Sequence, residues 1–191
     1  MDKTVGVLAI QGDFERHIYQ LGLVGARPVE VRLPGDLDKL DALILPGGES
    51  TTINIMIDRF DLRELLVRFG RSKPVFGTCA GMIMLAKKIE NNTSNVNALG
   101  LLDIDVDRNG YGRQVHSWED KVDADLAGQK AKLTATFIRA PRVTRVGPEI
   151  ATLASWRNDP VLIRQNRLLA ASFHAELDDD TTLLEYFLTR V

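Results

Sequence analysis

Pro74-Val75-Phe76-Gly77-Thr78-Cys79-Ala80-Gly81 reads as an apolar strand running into a tight turn, with an apolar helix starting near Gly81. A strand-to-helix turn pushes its central side chain out at the carboxyl edge of a sheet. Small flanking residues leave room there for backbone N–H groups to approach a substrate oxygen. The turn is a Gly-x-Cys-x-Gly form of the nucleophile elbow, and it carries the only cysteine of the chain. A lone cysteine is more often a small buried apolar residue that does no chemistry. Two glycines in register around Cys79, after a strand and before a helix, point instead to a reactive thiol.

Outward from this turn the chain alternates. Residues 5–10 read as a strand, Phe14, Ile18 and Leu21 as the apolar face of a helix, and residues 28–33 as the next strand. Strands at 41–45 and 74–77 follow, with Leu62, Leu65, Leu66 and Phe69 at helical spacing between them. This pattern predicts an α/β fold: a mostly parallel central sheet with helices on both faces, and reactive loops at the carboxyl ends of the strands. Beyond Leu99 the segments shorten to strands at 101–107, 133–138, 150–155 and 161–165, read as added antiparallel strands before the sheet regains 168–173. Asp178, Asp179 and Asp180 precede a final helix with Leu183, Leu184 and Phe187, and they read as its acidic cap, not as a metal site. Residues 1–191 are expected to form a single domain.

Composition narrows the function. With 45% apolar and 26% charged residues the balance is that of an ordinary globular protein. A net charge of -2 without a long basic stretch argues against nucleic acid as the main partner. No hydrophobic run is long enough to span a bilayer, and Asp2 and Lys3 lead straight into a strand. A single cysteine allows no internal disulfide, so a cytoplasmic location is expected.

A thiol nucleophile needs a base. Of His17, His116 and His174, only His174 has a carboxylate at useful spacing. In an extended chain residues i and i+2 face the same side, so continued strand geometry would set Glu176 beside His174. One ring nitrogen is then held and the other is free to face sulfur. The other reading of His174 is a hydrogen-bonded core histidine with Glu176 on the surface. A helix N-terminus stabilises an anion by roughly 0.3 to 2 kcal/mol, about one pKa unit. Activated thiols lie roughly 1 to 5 units below the free value, so an imidazolium must supply much of the difference.

A third segment, Pro46-Gly47-Gly48-Glu49-Ser50-Thr51-Thr52, joins the strand at 41–45 to a helix with Ile53, Met56, Ile57 and Phe60 on one face. Its paired glycines can present unhindered N–H groups, and such donors are worth roughly 3 to 4 kcal/mol each at a developing oxyanion. A tight turn followed by a helix cap is the plainer reading of the same residues. No phosphate-binding glycine pattern is present.

These segments, with Ser172-Phe173-His174-Ala175-Glu176, resemble the class I, triad-type glutamine amidotransferases. Within that family the chain resembles the glutaminase subunits of pyridoxal 5'-phosphate synthases. Further matches are Gly6-Val7-Leu8-Ala9-Ile10-Gln11-Gly12, Arg108-Asn109-Gly110-Tyr111-Gly112-Arg113-Gln114 and Phe137-Ile138-Arg139-Ala140-Pro141. The resemblance runs from the first strand to the last helix and implies a flavodoxin-like sheet. It implies Cys79 as nucleophile, His174 as general base and Glu176 as the residue orienting it. It also implies an oxyanion hole of Gly47, Gly48 and Ala80, and a glutamine pocket of Gly47, Gly48, Glu49, Arg108, Ile138 and Arg139. An arginine suits the α-carboxylate of glutamine; without the resemblance, Arg108 and Arg139 read as members of surface salt bridges.

The resemblance implies no cofactor and no metal. It does imply a partner, a barrel-shaped synthase subunit that receives ammonia and docks near Gln11 and Gly12, although that segment also reads as a simple strand-to-helix turn. Two departures stand out. Ala175 replaces the usual proline after the histidine, whose loss is expected to loosen His174, and Trp118 replaces a phenylalanine with an effect expected on packing only. Rival readings are the glutaminase subunit of another amidotransferase, such as that of histidine synthesis, a different cysteine hydrolase, and a non-catalytic scaffold.

Overall fold

The computed structural model describes residues 2–111 and 117–191; Gly112, Arg113, Gln114 and His116, singled out above, lie outside the described residues. In chain order the elements are β1 (Thr4–Leu8), α1 (Phe14–Leu23), β2 (Arg27–Val31), β3 (Ala42–Leu45), α2 (Ser50–Arg59), α3 (Arg63–Ser72), β4 (Val75–Thr78), α4 (Ala80–Leu85), β5 (Ala86–Glu90), β6 (Leu102–Asp107), β7 (Ser117–Leu126), β8 (Gln129–Ile138), β9 (Arg142–Val146), β10 (Ala151–Trp156), β11 (Asp159–Gln165), β12 (Leu168–Ala171) and α5 (Thr182–Arg190).

Nine of the described strands form one sheet in the order β2-β1-β3-β4-β12-β11-β10-β7-β8. The first five run parallel and the remaining pairs antiparallel, so the expected parallel sheet carries an antiparallel extension. The inner parallel strands β1, β3, β4 and β12 are mostly apolar and buried because helices cover both their faces, while the edge strand β2 carries exposed Arg27 and Glu30. Along β3 the side chains alternate: Leu43 and Leu45 pack with Ile53, Ile57 and Leu66 of α2 and α3, while Ala42 and Ile44 join Leu21 of α1 and Leu184 and Phe187 of α5. Phe76 of β4 meets Phe187 with ring centroids 5.5 Å apart.

Three strands escape an apolar-run reading. Strand β5 continues directly from α4 and pairs with β6, which pairs in turn with β9, in a separate three-stranded sheet. Strand β7 is charge-rich but alternates, burying Val122, Ala124 and Leu126. Trp118 stacks on Phe137 at 4.6 Å and 11°, which agrees with a packing role for the aromatic at that position. Asp180 Oδ1 accepts the Thr182 N–H at 2.9 Å, but the N-cap of α5 is Thr181 and makes no side-chain cap hydrogen bond, so the acidic run precedes the cap and does not supply it. Among the described residues no helix is long and apolar enough to cross a membrane.

Candidate active site

Strand β4 leads through Cys79 into α4, and the turn is strained. Cys79 has φ 47° and ψ -105°, a conformation that costs about 1 to 3 kcal/mol for a residue with a side chain. It is held from both sides: its N–H donates to the Ala171 carbonyl at 2.8 Å, and its carbonyl accepts the Ile83 N–H at 3.2 Å. The flanking glycines have a different use from the one expected. A Cβ on Gly77 would lie 2.6 Å from the Gly81 carbonyl carbon, and one on Gly81 would lie 2.0 Å from the Leu45 oxygen. They let α4 pack directly on β3 and β4, and so fix where the thiol points. The thiol lies 3.8 Å from the Ile138 carbonyl oxygen. With six residues α4 is short, which leaves charge stabilisation of the sulfur mainly to a side chain.

That side chain is His174. Strand β12 ends at Ala171, the chain bends at Ser172 and Phe173, His174 is extended (φ -94°, ψ 93°), and a 3-10 turn over Ala175–Leu177 follows. The turn, not continued strand geometry, carries Glu176 back, and its Oε1 lies 2.6 Å from His174 Nδ1. With Ala175 in place of proline, the His174 N–H donates to the Thr136 carbonyl on β8 at 2.8 Å and its backbone takes the extended geometry that a following proline would favour.

Burial works against charge on His174, but hydrogen bonds with Cys79 and Glu176 outweigh it and push its pKa up to about 10. Glu176 is fully buried. Burial opposes its ionisation too, yet His17 and His174 hold its carboxyl below the ordinary 4.5. The pair is therefore an imidazolium and a carboxylate at neutral pH.

A pH dependence of stability follows. The His174 pKa is raised on folding, so its contribution is complete below the ordinary 6.5 and is lost as pH rises through about 10. Glu176 is depressed, so its contribution is complete above 4.5 and is lost as pH falls below that value. The midpoint of urea denaturation is expected to fall as pH is raised from 6.5 to 10, and His174→Gln should flatten that slope. An equally steep alkaline fall in the variant would contradict the assignment.

The loop after β3 closes the site. The Gly47 carbonyl accepts the Asp13 N–H at 3.3 Å, and the Gly47 N–H donates to Thr78 Oγ1 at 3.1 Å. Of the three expected oxyanion donors, that of Gly47 is thus occupied. The Gly48 N–H, opposite the Gly47 carbonyl in a trans peptide, points away from Asp13. Ala80 opens α4, where first-turn N–H groups lack intrahelical acceptors. Gly47 has another use: a Cβ there would lie 2.2 Å from His174 Cε1, so only glycine lets the ring sit against this backbone. Glu49 caps α2, accepting from the N–H groups of Thr51 at 3.1 Å and Thr52 at 2.7 Å.

Together these elements line a cleft of about 290 Å³, bounded by Gln11, Gly48, Glu49, Ser50, Cys79, Ile83, Arg108, Asn109, Ile138, Arg139 and His174. Its size suits a ligand at the small end of the usual range. Arg108 reaches Glu49 Oε1 at 3.3 Å and Thr51 Oγ1 at 3.1 Å, so the salt bridge that the plainer reading allowed is present, with an exposed Glu49, and both its residues line the cleft. Arg139 takes φ 44° and pairs with no carboxylate among the described residues. Sequence reading missed Ser50, Asn109 and Ile83 as lining, and above all His17, buried behind Glu176. Its place at i+3 from Phe14 and i-4 from Leu21 put it on the inner face of α1, the one signal available. Among the described residues no group of three or more His, Cys, Asp or Glu side chains is arranged to hold a metal ion.

An α/β sheet with a cysteine elbow facing a His–Glu pair across its carboxyl edge is the architecture of a triad-type amidotransferase. A crystal structure described as a glutamine amidotransferase superposes with a TM-score of 0.90 at 42% identity, covering 96% of each chain. The profile of the SNO glutamine amidotransferase family matches residues 7–191, and the chain belongs to that family. It is 50% identical over 185 residues to pyridoxal 5'-phosphate synthase subunit PdxT of Desulforudis audaxviator, covering 96% of both chains. It is 47% identical over 188 residues to the subunit of the same name from Thermotoga maritima, covering 98% of both. A chain of PurLQS from Thermotoga maritima, at 14% identity and TM-score 0.73, shares the fold.

Proposed function

We propose that this chain, acting as one domain over residues 1–191, is the glutaminase subunit of a pyridoxal 5'-phosphate synthase and hydrolyses L-glutamine to L-glutamate and ammonia. The observation that carries this reading is buried His174, with Nδ1 2.6 Å from Glu176 Oε1 and its ring interacting with the thiol of Cys79. The sulfur attacks the carboxamide carbon, and the oxyanion that forms is met by the N–H groups of Gly48 and Ala80. His174 gives its proton to the departing nitrogen as the C–N bond breaks, releasing ammonia and leaving a thioester. The neutral imidazole then takes a proton from water, which attacks the acyl carbon and expels the thiolate. Glu176 holds the ring in one orientation throughout and keeps the Nδ1 proton in place when the ring is neutral. Arg139, on the cleft wall without a carboxylate partner, suits the α-carboxylate of glutamine.

The ammonia would pass to a barrel-shaped synthase subunit docked over the carboxyl edge. Gln11, Gly12 and Asp13 sit at that edge and touch the oxyanion loop: Gln11 Oε1 accepts the Glu49 N–H at 2.8 Å and Asp13 holds the Gly47 carbonyl. A partner pressing on this segment would reach the catalytic backbone directly.

A chloroketone analogue of glutamine tests the reading. One adduct, mapped by mass spectrometry to Cys79, is expected, forming faster when the synthase subunit is present and suppressed by excess glutamine. No adduct at Cys79 with or without the partner would reject the glutaminase reading; an equal rate in both states would reject control by docking.

A further inference from the structure

His17 lies on α1, 159 residues from Glu176 in sequence and only 2% exposed. Its Nε2 is 3.3 Å from Thr78 Oγ1 and 3.6 Å from Glu176 Oε1. The second distance is an electrostatic contact, too long for a hydrogen bond. Glu176 Oε1 is the same oxygen that meets His174, while Oε2 is buried without a hydrogen-bond partner among the described residues. Thr78 Oγ1 in turn accepts the Gly47 N–H. A line of buried contacts therefore runs from His174 through Glu176, His17 and Thr78 to the oxyanion loop.

The proton on this line can be placed. A carboxylate only accepts, so a bare Nε2 lone pair facing it would be repelled; the favoured tautomer carries hydrogen on Nε2 and donates to Thr78. Burial is the foremost influence on His17 and lowers its pKa, with Glu176 raising it, His174 lowering it and Asp13 raising it. The imidazole is thus neutral, which leaves the single charge on the Glu176 carboxylate for His174. The arrangement does not serve a metal, since no such cluster occurs among the described residues.

We propose that His17 is a positioning residue of the glutaminase reaction, holding Glu176 against His174 and, through Thr78, seating the Gly47 end of the oxyanion loop. The inference rests on the glutaminase reading above. Glutamine turnover in the assembled synthase tests it. His17→Leu keeps an apolar filling but loses the donor, and is expected to lower kcat about 10- to 100-fold with KM little changed, by analogy with removal of other groups that orient a reacting histidine. The Nε2–H of His17 faces Glu176 Oε1 at 3.6 Å and favours its ionised form, so the acid limb of kcat/KM should move to higher pH in this variant. His17→Gln restores an N–H donor and should recover most of kcat.

Unchanged kcat and pH profile in a folded His17→Leu, or a His17→Gln as impaired as His17→Leu, would overturn the proposal. If His17→Leu does not fold, Thr78→Val breaks the same line with a side chain of equal shape. A kcat reduced about 10-fold is then expected, and an unchanged kcat overturns the proposal. Equal turnover in wild type and variants rejects only the role of His17; a wild-type complex without turnover or Cys79 adduct rejects the glutaminase reading and this inference with it.

Discussion

Cys79→Ala is expected to abolish glutamine turnover, by about 10⁴-fold or more, in the free chain and in the complex with the proposed synthase partner alike. Loss of a triad nucleophile elsewhere costs about 10⁶-fold in kcat. The scale follows from the chemistry: without sulfur there is no thioester, and the remaining oxyanion donors and binding contacts can only assist direct attack by water. The fold should survive, because alanine at this position bears the same backbone strain as cysteine and keeps the hydrogen bonds to Ala171 and Ile83. A second variant shows that the turn itself is strained. Glycine adopts φ 47° without the penalty borne by a side chain, so Cys79→Gly should be more stable than Cys79→Ala by about 1 kcal/mol while equally inactive. Stopped-assay ammonia release and urea denaturation measure the two effects separately. Substantial turnover by either variant would remove Cys79 as nucleophile, and equal stability would mean that the backbone stores no strain there.

The parallel half of the sheet was legible because its strands are apolar runs buried on both faces, as in Ala42–Leu45 and Leu168–Ala171. The elbow was legible because a strand, two glycines and a cysteine fall within a few residues, and the His174–Glu176 pair because two residues suffice to express it. Legibility ended where contacts are long-range or where a strand is half solvated. Residues 117–126 carry Glu119, Asp120, Lys121, Asp123 and Asp125 on a strand whose buried face shows only in alternation. His17 meets Glu176 only after five parallel strands have assembled and α1 has docked, and no local period encodes that meeting. The glycines were read as giving room to a substrate; at Gly77 and Gly81 the room belongs to the protein's own backbone. A motif names the residue type, and only the packed neighbours tell what the small side chain is for.

Gly47→Ala carries that distinction to a measurable result. The added Cβ would stand 2.2 Å from His174 Cε1, 2.9 Å from Nδ1 and 3.1 Å from Nε2, distances at which something must move. The ring cannot retreat freely, since its Nδ1 lies 2.6 Å from Glu176 Oε1 and the backbone N–H of His174 is held by the Thr136 carbonyl. Nor can the loop, since the Gly47 N–H and carbonyl are both engaged, with Thr78 and Asp13. Either response displaces the base from the sulfur or the loop from the oxyanion, and an error of about 1 Å in such a geometry costs on the order of 100-fold. We expect kcat/KM to fall by about that factor, with about 1 to 3 kcal/mol of stability lost to overpacking. Gly22→Ala is the matched control: it lies on α1 with nothing within 4 Å of the added carbon, and should leave turnover unchanged while gaining a few tenths of a kcal/mol from helix propensity. The chloroketone supplies the separating measurement, since a displaced His174 slows alkylation of Cys79 even where glutamine still binds. If Gly47→Ala turned over and alkylated at the wild-type rate, the imidazole would have ample space beside this loop, and the close fit that places it against the thiol would be wrong.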